Sequence, residues 1–130
     1  MRTLLPPGWP RPKGYANGVS ANGRIVVTAG VVGWTADEEF ESEDLAGQFR
    51  QILVNMLAIL AEDGAGPEHI VRMTCYVTDV DAYRHGLSEI GAAWRELIGR
   101  NFPAMAVVGV SALVEPKAKI EIETMAVVPE

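Results

Sequence analysis

The chain has 130 residues, is 48% hydrophobic and carries a formal charge of −6, from 17 acidic against 11 basic side chains. That suits one domain, residues 1–130, with a real core, and the scattered bases argue against nucleic acid, which needs a basic stripe to displace counterions. A single cysteine, Cys75, excludes an intrachain disulfide, no apolar run reaches the roughly 18 residues of a membrane span, and the start MRTLLPPGWPRPKG lacks a continuous apolar signal region, so the expectation is a soluble, cytoplasmic protein.

In chain order, YANGVSANGRIVVTAGVV reads as a hairpin, with Asn22–Gly23 as its two-residue turn. The strand after it, 24–32, is apolar on both faces, and Gly30 and Gly33 mark a bend or a close approach by another group. The acids of DEEFESED suit a solvated loop and lack the alternation of a calcium loop. From Asp44 to Asp63 apolar residues recur at helical spacing (Leu45, Phe49, Ile52, Leu53, Met56, Leu60), with Ser42 as the expected N-cap and Gly64 as the stop. The GAG here follows a helix, which excludes a phosphate cradle on context.

HIVRMTCYVT alternates as a strand, placing Cys75 in an apolar row as a core residue and not a nucleophile. A second helix follows TDVD, with Tyr83, Leu87, Ile90, Trp94, Leu97 and Ile98 as its buried stripe. His69 and His85 have no metal-ligand spacing, so no metal is expected. Strands at 104–113 and 118–128, joined by the VEPK turn, complete the order ββαβαββ. This is an α+β architecture: a mixed sheet with two helices on one face. The bare face needs a cover, which a homo-oligomer packing sheet against sheet would supply.

On the last strand Lys119, Glu121, Glu123, Met125 and Val127 share one face, charged at first and then apolar. A strand running from a cleft mouth into a covered interior switches in this way. Glu121 and Glu123 are therefore candidate cleft carboxylates with Lys119 as a possible ion-pair partner; the pattern also fits edge charges that discourage aggregation. Arg24 and Arg72 are further candidate cations, and Trp34 either walls the pocket or caps the core.

These pieces carry a resemblance. The GY of the first hairpin, the TAG strand, QFRQILVNM, VTDVDAY, FPA and, about 15 residues later, KIEIE, resemble the RidA/YjgF/YER057c/UK114 family, collinearly over essentially the whole chain. The resemblance implies a chorismate-mutase-like subunit, a barrel-like homotrimer, and small-molecule clefts between subunits that hydrolyse enamines and imines to a keto acid and ammonia without a cofactor. By position, Glu121 matches the catalytic glutamate, Tyr15 the cleft tyrosine and Gly30 a backbone amide facing the ligand. Trp34 follows the strand that borders the cleft.

The carry-over is partial. Met105 stands where an arginine directly after FPA grips the substrate carboxylate. Ala29 replaces a usual serine, Val107 a common cysteine, and Leu87 lies near a position often held by asparagine. A thioether cannot imitate a guanidinium fork, a loss of roughly 2–4 kcal/mol. The expectation is a less polar or uncharged ligand with Glu121 as acid/base. A non-catalytic metabolite-binding or regulatory protein is the alternative, and a ribonuclease is disfavoured by the acidic balance.

Overall fold

In the computed structural model, which describes residues 1–130, the chain runs β1 (Arg2–Leu4), β2 (Gly18–Ser20), β3 (Arg24–Val27), β4 (Val31–Val32), α1 (Leu45–Ala61), β5 (Ile70–Val77), α2 (Val80–His85), α3 (Leu87–Leu97), β6 (Ala104–Gly109) and β7 (Ile120–Val128). A 3-10 turn at Pro67–His69 precedes β5. The main sheet has the order β3-β7-β5-β6, with β4 also on β7. β5 and β6 are parallel, and every pairing with β7 is antiparallel. The last strand is thus inserted between β3 and β5, so both crossovers deliver their helices to the same face.

The helical period seen in the sequence becomes the core. Phe49, Ile52, Leu53, Met56 and Leu60 of α1 are buried against Met73, Cys75 and Val77 of β5 and Ile120, Ile122 and Ala126 of β7. Each such side chain contributes on the order of 1.5–3 kcal/mol by leaving water. Ile90 and Trp94 of α3 extend the cluster. No helix covers the opposite face, where Ile25 is 65% exposed and Val27 60% exposed.

Several expectations need correction. β2 pairs with β1 and not across Asn22–Gly23 with β3. β3 is taken by β7, and Gly23 (φ +147°) sits so close to the Val128 carbonyl that no side chain fits between them. β1 gave no sequence signal because three residues ahead of a proline run are too few to show alternation. The N-cap of α1 is Asp44, whose carboxylate accepts from the Gly47 amide at 2.7 Å; Ser42 instead donates to Asp44 Oδ1 at 3.0 Å. A carboxylate at the positive end of the dipole outcompetes a hydroxyl.

Gly64 does end α1: at φ +73° it lets the Ala65 amide reach the Leu60 carbonyl at 3.0 Å, a left-handed cap. The second helical segment is broken at Gly86, whose amide caps α2 through the Ala82 and Tyr83 carbonyls. β6 stops at Gly109, short of 113, because its partner β5 ends at Val77; one further bond, from the Val110 amide to the Val77 carbonyl, closes the ladder. β7 likewise begins at Ile120 and not at 118.

Candidate functional site

Two separate clusters hold the residues singled out in the sequence. The first is built on a fault in the edge strand. Val27 pairs with Met125 and Val31 with Ile122, so four steps along the edge oppose three along β7. One residue is extra, as in a β-bulge. Thr28 absorbs it: its amide donates to the Thr124 carbonyl at 2.9 Å, and its hydroxyl accepts from the Thr124 amide at 3.2 Å, standing in for a backbone carbonyl. Ala29 and Gly30 are thereby displaced from the ladder. The Glu121 side chain lies directly over Gly30, where any Cβ would overlap its carboxylate. That is the close approach the glycine implied.

Two amides on α1 clamp this region from behind. Gln48 is 1% exposed. Its Nε2 donates to the carbonyls of Ser42 and Lys117, at 3.1 and 3.0 Å, and its Oε1 accepts from the Lys119 amide at 2.7 Å. Two turns later, Asn55 Nδ2 donates to the carbonyls of Val32 and Trp34, at 3.2 and 2.7 Å. The strand entering Glu121 and the strand carrying Gly30 are therefore both fixed to one helix. A buried amide with all its groups satisfied specifies a single arrangement.

The second cluster lies on the helix side of the sheet. A bond from the Ala16 amide to the Pro103 carbonyl, and a bridge from Ala16 to Ala104, bring Tyr15 beside β6. Met105 and Val107 pair with buried Met73 and Cys75, so they point towards the helices. With Leu87 from the start of α3, these residues line a cavity of about 580 Å³. Leu87 is 52% exposed and belongs to this cavity wall, not to the buried stripe expected of it. Burial raises the pKa of the Tyr83 phenol, another wall residue, so at neutral pH it is a hydrogen-bond donor.

The two clusters do not meet. Glu121 pairs with Tyr76, and Met105 with Met73; Tyr76 is three positions beyond Met73 on β5, an odd offset, so they face opposite ways. Glu121 and Met105 accordingly stand on opposite faces of one sheet. Trp34 is in neither cluster's pocket wall: its ring packs on Phe40, 5.8 Å away at 54°. Lys119 forms no ion pair with Glu121 or Glu123. Glu123 instead accepts from the Tyr76 hydroxyl at 2.7 Å. That hydrogen bond is the main cause raising the Tyr76 pKa above its ordinary value. Arg24 is held by Asp63, whereas Arg72 is unpaired on the open face, where it lines a shallow hollow with Thr28 and Glu123.

Cys75 is fully buried, and desolvation pushes its thiol up to about 12, which removes it as a nucleophile. His69 accepts the Gly66 amide on Nδ1 at 2.9 Å and so shapes the 3-10 turn. Sequence reasoning missed Gln48 and Asn55, as well as Lys13, Trp94 and Arg95 on the cavity wall. A buried glutamine within an apolar helical stripe is the one signal that could have found the first of them.

Residues 10–128 match the family model described as Endoribonuclease L-PSP. A RutC family protein of Aquifex aeolicus is 34% identical over 128 residues, covering 98% of this chain and 99% of that protein. The 2-iminobutanoate/2-iminopropanoate deaminase of Salmonella typhimurium is 34% identical over 114 residues, covering 87% of this chain and 86% of its own. The crystal structure of YyfB from Yersinia pestis, described as a protein of unknown function of the conserved Rid family, superposes with a TM-score of 0.85 at 31% identity, covering 98% of both chains.

Proposed function

The chain belongs to the RidA/YjgF/YER057c/UK114 family, and from that premise we propose that it hydrolyses an imine or enamine with a large apolar side chain, in clefts completed between copies of itself. The observation that carries this reading is the division of the site. Glu121 and Met105 stand on opposite faces of one sheet, yet each lies at a surface prepared for contact. A homotrimer that packs its open sheet faces into a barrel would bring the Glu121 edge of one copy against the Met105 cavity of the next. The exposed Ile25, Val27, Val108 and Met125 supply the apolar surface for that packing. The likeness to the Salmonella typhimurium deaminase supports the reaction class.

In this mechanism the Glu121 carboxylate takes a proton from water as the oxygen attacks the C=N carbon. The π pair moves to nitrogen, and Glu121 hands that proton on to it, giving a neutral carbinolamine and a free carboxylate again. The carboxylate next takes the hydroxyl proton and passes it to the departing amine, so that ammonia leaves, the ketone forms and Glu121 ends ionised as it began. An enamine enters the same sequence after protonation at carbon. Met105 offers no charge where the family's arginine would grip a carboxylate, so small 2-imino acids lose their main handle. A polypeptide acting on RNA would need a basic groove, and the Glu121 face carries Glu123 beside it, with only Arg72 and Lys119 as unpaired cations nearby.

The experiment is ammonia release from a panel of imines generated in place by an amino-acid oxidase, comparing the wild type with Glu121→Gln. Acceleration by the wild type, abolished in the variant, is expected. A protein that binds ligands at the cavity but accelerates none of the panel is instead the non-catalytic binder, which the loss of polar residues at Ala29, Leu87 and Val107 would favour.

A further inference from the structure

We propose that the cavity beside Met105 binds a carboxylate with a cyclic apolar body, and that Arg95 with Lys13 grips its anionic end. The family's cation has been moved to the cavity rim, so the ligand is charged after all, contrary to what Met105 alone implies. For the reaction this rests on the imine-hydrolysis reading and narrows it to the imines of aromatic amino acids. The binding itself stands independently of that reading.

Four observations converge. The cavity, at about 580 Å³, is of the size that encloses a small organic ligand. Five of its wall residues are aromatic, Tyr15, Phe49, Tyr83, Trp94 and Phe102, with Trp94 and Phe102 stacked at 6.4 Å and 8°. Such walls suit a flat ring, which gains both burial and stacking. The only charged residues on the wall are Lys13 and Arg95, both cationic, although the whole chain carries −6. Neither is engaged in an ion pair.

The Arg95 guanidinium also lies across the cavity side of α3. Its Nη1 is 3.3 Å from where a Cβ on Gly91 would be, so the missing side chain at Gly91, itself a wall residue, leaves room for it.

The test is calorimetry with 3-phenylpropanoate, 3-phenylpropanamide and propanoate, on the wild type and on Arg95→Gln/Lys13→Gln. Both substituted residues are exposed, so the fold is retained. The aromatic acid should bind about tenfold or more tightly than its amide, as expected for a charge-assisted contact. It should also exceed propanoate by at least as much, and added salt should weaken it. In the double variant the acid-over-amide ratio should fall to near one.

An amide that binds as well as the acid overturns the proposal, as does a double variant that keeps the preference, or propanoate binding as tightly as the aromatic acid. Turnover of the imine of phenylalanine is read separately. Selective binding without turnover removes the imine-hydrolysis reading and leaves the anion site standing; turnover without acid selectivity does the reverse.

Discussion

Replacing Gln48 by Leu tests whether the buried clamp on α1 holds the Glu121 edge in place. The leucine fills most of the volume but offers nothing to the Ser42 and Lys117 carbonyls or to the Lys119 amide, which Gln48 meets at 3.1, 3.0 and 2.7 Å. Each lost bond is worth about 0.5–1.5 kcal/mol, and a buried donor left unmade costs about 1–3 kcal/mol. Leucine recovers part of this by hiding more apolar surface. The net expectation is a loss of about 2–4 kcal/mol, measured by urea denaturation at fixed protein concentration.

The effect should also be local. Lys119 is two residues before Glu121, so its amide should lose hydrogen-exchange protection in the variant while the amides of β5 near Met73 keep theirs at matched stability. Turnover should fall through Glu121, whereas 3-phenylpropanoate binding at the cavity should persist, because that cluster lies on the other face of the sheet. A stability loss under about 1 kcal/mol with unchanged Lys119 protection would refute the clamp.

Met105→Arg should gain turnover of the imine of alanine, modestly, because Lys13 and Arg95 already make the cavity positive; no gain would mean that Ala29, Leu87 and Val107 have reshaped the cleft. Val27→Lys places a charge on the open sheet face, 60% exposed in the single chain, and should convert the homotrimer proposed above to smaller species in sedimentation analysis. Cys75, with its thiol pushed up to about 12, should resist alkylation at neutral pH and react only after unfolding. Because the folded pKa of Tyr76 is raised through its bond to Glu123, its contribution to stability is intact at neutral pH. It is lost as pH rises past the ordinary phenol range, so Tyr76→Phe should flatten the alkaline limb of the stability curve.

How far the sequence could be read follows from the range of each interaction. Alternation in β5 and β7, and the helical period of α1, are local and were legible, including the face shared by Glu121, Glu123 and Met125. The partner of β2 was not, since Asn22–Gly23 specifies a turn without saying which strand accepts the exposed edge, and β7 claims β3 from a hundred residues away. The resemblance singled out Glu121 and Met105 by position in the chain, but spacing along a chain cannot say that two strands present their residues to opposite faces. Gln48 was invisible as a functional residue because its role depends on a turn, 115–119, that lies far off in sequence.

The same distinction explains why Met105 misleads when taken alone. A substitution at one aligned position removes a charge from that position, and the inference to an uncharged ligand assumes that nothing else faces the cavity. Arg95 is one residue past Trp94 on α3, in a stretch with no family signature, and its guanidinium lies close over Gly91 on the cavity wall. Charge recognition needs a cation within a few ångströms of the anion, not at a fixed place in the chain. The cavity as a whole, with both of its charges positive, is therefore a better guide to the ligand than the residue that follows FPA.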